Sequence, residues 1–422
     1  MRFNTLDEWL GWQETLHPSE IELGLERITS VFNALHPDPV FPTVITVAGT
    51  NGKGSSVAML DAIYRAADYQ VGSYTSPHLF QYNERICING RPVDDQSLCD
   101  AFTRIDNARG ETSLTYFEFG TLAALEIFLQ HELDVVILEV GLGGRLDAVN
   151  IIDADVALIT AVALDHQEWL GNNIKTIASE KAGIMRSGKP VVSSGKNAID
   201  TLATCAADIG AQLYQTGKDF HFTDASKGGT WDWQSEKQFR TALPKPTLFG
   251  EHQIFNAAGV LMVIELLANN LPVSQSAIRE GLMSVQLAGR FQILPGEPVC
   301  IFDVAHNADA MKHLAQQLQQ YPCHGRTLAV LGMLSDKDIH NALLEVISGI
   351  DEWFLTPLAT PRSESVDKLH RTLKSVSNTA TVHNCSDVKQ AFQAANKAAK
   401  KQDRIVVFGS FYTVAEAMPE PL

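Results

Sequence analysis

The chain has 422 residues, 45% of them hydrophobic, with 33 Lys and Arg against 49 Asp and Glu, a formal charge of -16. That length exceeds one ordinary core and implies two domains or three, and the acidic balance argues against nucleic acid or an anionic membrane as partner while leaving room for a local cationic cleft. No apolar run approaches a membrane span, and six scattered cysteines form neither a C-x-x-C pair nor a zinc spacing, so a reduced, cytoplasmic protein without a signal peptide is expected.

Residues 6–16 read as a helix, and residues 21–28 mix apolar and charged side chains around Gly24, which taken alone is a helix cap or a surface turn. The run Thr46-Val47-Ala48-Gly49-Thr50-Asn51-Gly52-Lys53-Gly54-Ser55-Ser56 then joins a β-branched strand to a segment of helical spacing (Val57, Leu60, Ile63, Tyr64). Glycines at 49, 52 and 54 let backbone N–H groups curl around an anion at a helix N-terminus, Lys53 can bridge phosphate oxygens, and Ser55 can reach a magnesium ion. Only Thr50 and Asn51 separate Gly49 from Gly52 where the common phosphate loop has four residues. The competing reading is an ordinary glycine-rich strand-to-helix turn, which needs neither the lysine nor the two serines.

Further along, residues 69–75 form a short strand that leads into Ser76 and His78, where Ser76 is either a magnesium ligand or a turn residue before Pro77. Leu114 to Gly120 opens a long helix whose Tyr116, Phe117 and Phe119 suit a flat heteroaromatic ligand or plug a core. In the apolar run from Asp134, Glu139 interrupts a strand buried on both faces, which points to a metal over a buried salt bridge, and a glycine-rich stretch follows through Asp147. A second buried strand, 156–162, ends in Asp165-His166; a helix at 174–185 carries Lys181, which could instead pair with a neighbouring carboxylate. Residues 220–243 read as a peripheral hairpin unit, and the helix that starts near Phe249 has Asn256 as a cap or a nucleotide contact. After a glycine joint near 287–292 the pattern restarts, with strands at 299–304, 327–332, 352–357, 380–383 and 404–408. The reading is α/β throughout, with domains at 1–287 and 288–422.

The loop Gly49 to Ser55, Ser76-Pro77-His78, Leu138-Glu139-Val140-Gly141-Leu142-Gly143-Gly144-Arg145-Leu146-Asp147, Asp165-His166, Glu180-Lys181-Ala182-Gly183, Gly289-Arg290-Phe291 and Asp303-Val304-Ala305-His306-Asn307 together resemble bacterial folylpolyglutamate synthase/dihydrofolate synthase, within the Mur ligase superfamily, over essentially the whole chain. The resemblance implies an N-terminal phosphate-loop NTPase-like domain with a mainly parallel sheet and a smaller C-terminal Rossmann-like domain. It implies ATP-dependent ligation of L-glutamate to dihydropteroate and to reduced folates through an acyl phosphate. ATP would lie on Thr50, Asn51, Gly52, Lys53, Gly54 and Ser55, completed by Asn256, Arg290 and Asp303. Magnesium, two ions, would be held by Ser76, Glu139, His166 and a carbamylated Lys181, with Lys53, Lys181 and His166 carrying the chemistry. The pteridine would touch Ile21, Glu22, Leu23, Gly24, Thr115, Tyr116, Phe117, Glu118, Leu146, Asp147 and Ala148, and glutamate would meet His306 and Ser410. Partners would be these small molecules alone, acting on a monomer. The alternatives are a folylpolyglutamate synthase without the dihydropteroate activity, or a phosphate-loop switch that ignores glutamate.

Overall fold

The computed structural model describes residues 2–225 and 229–419, so residues 226–228 of the expected hairpin unit lie outside the described residues. The chain separates into two compact units, one formed by Met1–Val162, Asn172–Thr247 and Gln253–Val285, the other by Ala163–Gly171, Leu248–His252 and Gln286–Leu422. The two short excursions depart from a single cut between 287 and 288, and local contacts explain them. Phe249 stacks on Phe291 at 4.7 Å and its carbonyl accepts from Gln317, while Asp165 pairs with Lys337 at 2.8 Å.

In the first unit the strands are β1 (Thr43–Ala48), β2 (Val71–Tyr74), β3 (Ile86–Ile88), β4 (Arg91–Pro92), β5 (Val135–Glu139), β6 (Val156–Ile159), β7 (Pro190–Ser193) and β8 (Gln212–Gln215). They lie in the order β4-β3-β2-β5-β1-β6-β7-β8. The six from β2 to β8 run parallel, and β3 and β4 add an antiparallel hairpin at one edge. Unbroken apolar runs make β5 and β6 buried along their whole length, as helices on both faces of a parallel sheet require. The central strand β1 therefore delivers the loop at its carboxyl end to the middle of the sheet, the usual ligand position of an open α/β fold.

The expected hairpin unit is a three-stranded antiparallel sheet of β9 (Phe220–Ala225), β10 (Thr230–Ser235) and β11 (Phe239–Pro244) in the order β11-β10-β9. It is part of the core: Trp231 and Trp233 are fully buried, and the Trp233 indole N–H donates to the Ala258 carbonyl at 3.1 Å. Alternation of tryptophan with polar residues, read as decoration, is one apolar face turned onto the helix His252–Leu266.

The second unit holds β12 (Gln292–Leu294), β13 (Val299–Phe302), β14 (Thr327–Leu331), β15 (Glu352–Leu355), β16 (Thr381–Asn384) and β17 (Arg404–Phe408), in the order β12-β13-β17-β14-β15-β16. All pairs are parallel except β12 with β13. Ile301, Leu331, Trp353 and Phe408 from its strands close over Met311, Leu314 and Leu369 from its helices. Among the described residues no helix is long and apolar enough to cross a membrane.

One helix contact sets the position of the phosphate-loop helix Lys53–Ala66. Gly281, on the helix Gln275–Ser284, packs so closely that a β-carbon there would lie 2.6 Å from Ile63 Cα and 2.7 Å from its nitrogen. Backbone cannot yield as a side chain can, so Gly281→Val should destabilise the fold by about 2 kcal/mol or more. Urea unfolding of purified variant and parent measures this, and equal midpoints would refute it.

Candidate active site

At the end of β1 the chain turns on Gly49 (φ 154°) and enters the helix from Gly52, which is left-handed at φ 91°. A β-carbon on Gly52 would fall 2.5 Å from Asn256 Oδ1. The loop is tied to the end of β6, where the Thr50 amide donates to the Ala161 carbonyl at 2.7 Å and Thr160 Oγ1 donates to Asn51 O at 2.8 Å. Lys53 folds back over the loop, with Nζ 3.2 Å from Gly49 O and 3.3 Å from Thr50 O. Its ammonium thus sits at the helix N-terminus with Gly54 behind it, two positive features facing one anion position. Buried Ser55 receives a hydrogen bond from Gln253 at 3.4 Å. Asn256 is not a helix cap: it lies a turn inside His252–Leu266, buried against Gly52 and donating to Gln253 Oε1 at 2.9 Å.

Lys181, 3% exposed, donates from Nζ to Gly49 O at 2.8 Å. The neighbouring carboxylate, Glu180, is instead bound by Arg145 at 2.9 Å. The glycine run between 141 and 144 explains how Lys181 comes so near: a β-carbon on Gly144 would stand 3.0 Å from Lys181 Cα, and one on Gly183 would strike Arg145. These glycines admit neighbouring backbone, and Gly141 admits the Phe117 ring, rather than opening the chain to a ligand. Glu139, 5% exposed at the end of β5, accepts from the Ser76 amide at 3.2 Å. A carboxylate and a serine hydroxyl are the hard oxygen donors a small divalent cation prefers, so this corner of the first unit fits such an ion. Among the described residues no three His, Cys, Asp or Glu side chains gather in a metal-holding cluster. His166 belongs to the second unit, at φ 49° before the short helix Gln167–Leu170.

The three segments expected to meet a pteridine do come together. Glu22 accepts from His17 Nε2 at 2.8 Å and pairs with Arg27, and Arg27 reaches Glu118 Oε1 at 3.1 Å. Glu118 also closes a capping box with Thr115 at the start of Tyr116–Leu129, accepting its amide at 2.8 Å. Both carboxylates thereby fasten residues 21–24, with Ile21, Leu23 and Gly24 partly exposed, to that helix. Phe119 is core, whereas Tyr116 and Phe117 stay partly exposed, Phe117 lying over Gly141. Asp147 is buried and accepts from Leu142 N at 2.7 Å and Val149 N at 3.1 Å, so Leu146 and Ala148 flank a carboxylate that caps Ala148–Ile151.

In the second unit Asp303 accepts from the amides of Phe291 and Ala305, both at 2.8 Å. Burial raises its pKa against the opposing charge of Arg290. Arg290 places its guanidinium 5.2 Å from the Phe411 ring centroid. His306 holds Val304 O by Nδ1 at 2.8 Å and approaches Asp165 by Nε2 at 3.5 Å. Asp165 also takes Asn307 Nδ2 at 2.9 Å and Lys337 Nζ at 2.8 Å. Burial works against its charge, but His306, His166 and Lys337 hold its carboxyl well below the usual carboxylate range. Ser410 is buried and used as the cap of Phe411–Ala417, accepting from Thr413 N at 3.0 Å.

Two charged residues of these surroundings escaped the sequence reading. Lys337 sits in an Asp336-Lys337-Asp338 loop that reads as solvated surface. Arg85 stands between Tyr82 and Tyr116 and donates to His78 Nδ1 at 2.9 Å, with burial and then the Arg85 charge lowering the His78 pKa to about 4. The position of Tyr82 and Arg85 at helical spacing, three apart, was the only signal for it.

The arrangement defines a Mur ligase: residues 47–264 match the Mur ligase middle domain, and residues 289–411 match the family described as Mur ligase, glutamate ligase domain. The dihydrofolate synthase/folylpolyglutamate synthase of Escherichia coli (strain K12) is 44% identical over 415 residues, 98% of this chain and 94% of that protein. A structure of E. coli FolC in complex with DHPP and ADP superposes with a TM-score of 0.92 at 43% identity, covering 98% of this chain and 97% of that one. A bifunctional folylpolyglutamate synthase/dihydrofolate synthase with Mn, AMPPNP and L-glutamate bound gives a TM-score of 0.89 at 44% identity, with 98% and 97% coverage. The chain belongs to the dihydrofolate synthase/folylpolyglutamate synthase family of Mur ligases.

Asp147 supplies a test of this geometry that needs no substrate. Burial raises its pKa to about 6, against the pull of the Leu142 and Val149 amides and of Lys53. A carboxyl whose folded pKa lies above its unfolded one holds its proton more tightly when folded; its contribution is present below about pH 4 and is lost as pH rises to about 6. Asp147→Asn should therefore remove a loss of stability of about 2 kcal/mol over that interval. Urea unfolding at pH 4, 5 and 6 checks it, and parallel pH profiles for parent and variant would contradict the raised pKa.

Proposed function

We propose that this ligase joins L-glutamate both to dihydropteroate, giving dihydrofolate, and to reduced folates, giving folylpolyglutamates, with cleavage of ATP to ADP and phosphate. The observation that carries this reading is the convergence of Lys53 and Lys181 on the Gly49 carbonyl at a helix N-terminus. It fits the ADP, DHPP, AMPPNP and L-glutamate named for the two similar structures.

A carboxylate oxygen of the pteroate or folate attacks the γ-phosphorus of ATP and ADP leaves; the glutamate amine then attacks the acyl carbon, a proton is lost, and phosphate departs. Such transfers need positioning and charge neutralisation more than a protein nucleophile. The amides after Gly52 and the Lys53 ammonium hold the phosphates, with Asn51, Gly54 and Asn256 shaping their bed. Asn256, Arg290 and Asp303 are the proposed remaining ATP contacts. Ser76, Glu139 and His166 would hold magnesium, and when bound it neutralises phosphate charge and polarises the transferred group. We read Lys181 as carbamylated: its amine adds to carbon dioxide with loss of a proton, keeps one N–H for Gly49 O, and gains two oxygens for a second ion. Residues 21–24, 115–118 and 146–148 receive the pteridine, with Tyr116 and Phe117 as its aromatic contacts. His306 would receive glutamate, whereas Ser410 would act by shaping the helix end rather than through its occupied hydroxyl. Six free cysteines accord with a cytoplasmic protein, which we read as a monomer.

Purified protein with ATP, glutamate and magnesium should release phosphate with dihydropteroate and with tetrahydrofolate. Turnover with tetrahydrofolate alone would make it a monofunctional folylpolyglutamate synthase, and phosphate release indifferent to glutamate would reject ligation. Lys181→Ala should lower kcat on the order of a hundredfold or more, with partial rescue by short carboxylates in the buffer; undiminished turnover would remove Lys181 from the site. His306→Ala should raise the KM for glutamate about tenfold or more while moving the KM for ATP far less. Equal shifts in both constants would argue against a donor-side role.

A further inference from the structure

Among buried arginines Arg85 is unusual. It is 9% exposed, yet among the described residues its one hydrogen bond is from Nε to His78 Nδ1, and no carboxylate pairs with it. Its sequence neighbour Glu84 is turned away, its two oxygens accepting the amides of Leu79, Phe80 and Gln81 at 2.7–2.8 Å. Arg404, also buried without a carboxylate, instead spends its donors on the Leu318 and Tyr321 carbonyls and the Thr327 hydroxyl. In Arg85 the two terminal amino groups, the edge that grips a carboxylate in a two-point fork, make no such bonds. A desolvated guanidinium in this state is costly to the fold unless something completes it.

Its surroundings say what that something is. The guanidinium carbon lies 5.1 Å from the Tyr82 ring centroid and 5.5 Å from that of Tyr116, so the planar group is bracketed by aromatic faces. One neighbour, Tyr116, is in the proposed pteridine segment; the other, His78, is two residues beyond Ser76 at the carboxyl end of β2. Arg85 therefore stands between Tyr116 and the Ser76–Glu139 corner proposed for the metal, on the side where the reacting end of the acceptor would lie. The two acceptors differ in charge there. Dihydropteroate has a single carboxylate, which the reaction consumes. A folate ends in a glutamyl residue with two, of which one is activated and the α-carboxylate is left over.

We propose that Arg85 is a specificity-determining residue that binds the unreacted α-carboxylate of the terminal glutamyl group in folate substrates, and so serves polyglutamate extension more than the ligation of dihydropteroate. The inference rests on the reading that both substrates are used. His78 fixes the guanidinium through Nε, and the tyrosine rings hold its plane, leaving the fork aimed at a carboxylate whose own position does not change during the reaction.

The test compares KM values at saturating ATP and glutamate. Arg85→Gln should raise the ratio of the tetrahydrofolate KM to the dihydropteroate KM about tenfold or more, and Arg85→Lys should recover part of it. A ratio unchanged from the parent, including the case in which both constants rise together because Tyr116 has lost its support, overturns the proposal. A second measurement uses the unaltered protein: tetrahydrofolate with its α-carboxylate converted to a carboxamide should bind more weakly by a similar factor, and equal binding of acid and amide overturns the proposal whether or not the variants fold. If the parent protein ligates dihydropteroate but not tetrahydrofolate, or neither, the proposed function itself fails and this inference with it. Ligation of both, with an insensitive ratio and equal binding of acid and amide, removes Arg85 alone.

Discussion

The turn at Gly49 leaves no room for a side chain. A β-carbon there would lie 1.8 Å from Thr160 Oγ1, and that closeness lets the end of β1 fold over onto the end of β6. Everything at the site depends on the resulting position of residue 49, buried, whose carbonyl draws Lys53 from its own helix and Lys181 from a helix more than a hundred residues away. The Lys53 ammonium, held at the helix N-terminus by that carbonyl, adds its charge to the field an anion meets there.

The second unit handles buried charge in the opposite way. Asp165 is surrounded by Lys337, Asn307 and His306, so its charge is satisfied within the fold. Removing a partner from such a buried group leaves it uncompensated, which is far more damaging than the pair itself is stabilising. The contrast marks where ligands are needed. Asp165 is complete without one; the guanidinium of Arg85 has unspent donors.

Strands β1, β5 and β6 were plain in the sequence because an unbroken run of Val, Ile and Leu has few other uses, and the strands of the second unit repeated that signature. The loop from Gly49 to Ser55 was legible because its backbone demands and its lysine coincide within seven residues. Strands β7 and β8, four residues each, carry too few positions for a period to show, and the pairs β3–β4 and β12–β13 are antiparallel additions that no parallel pattern announces. Lys337 was invisible because its partner lies 172 positions away, and a lysine between two aspartates looks content with its neighbours. Glu22 and Glu118 were both named for the pteridine site, and the structure brings them together on Arg27, but their use as fasteners there depends on a three-dimensional pairing that spacing does not encode. The tryptophans of β10 were misjudged for a related reason: alternation shows that a strand has two faces, not what covers one of them.

The antiparallel additions have a consequence for how the protein behaves in company. An outermost strand offers a row of unmet amides and carbonyls to any other chain, and aggregation begins at such templates. Here the larger sheet stops at β4, two exposed residues of which one is Pro92, unable to donate, and the smaller stops at the three-residue β12, followed directly by Pro295. Neither end is long enough to register a newcomer. At high concentration during synthesis, these flanks of the two sheets are poor seeds for polymerisation.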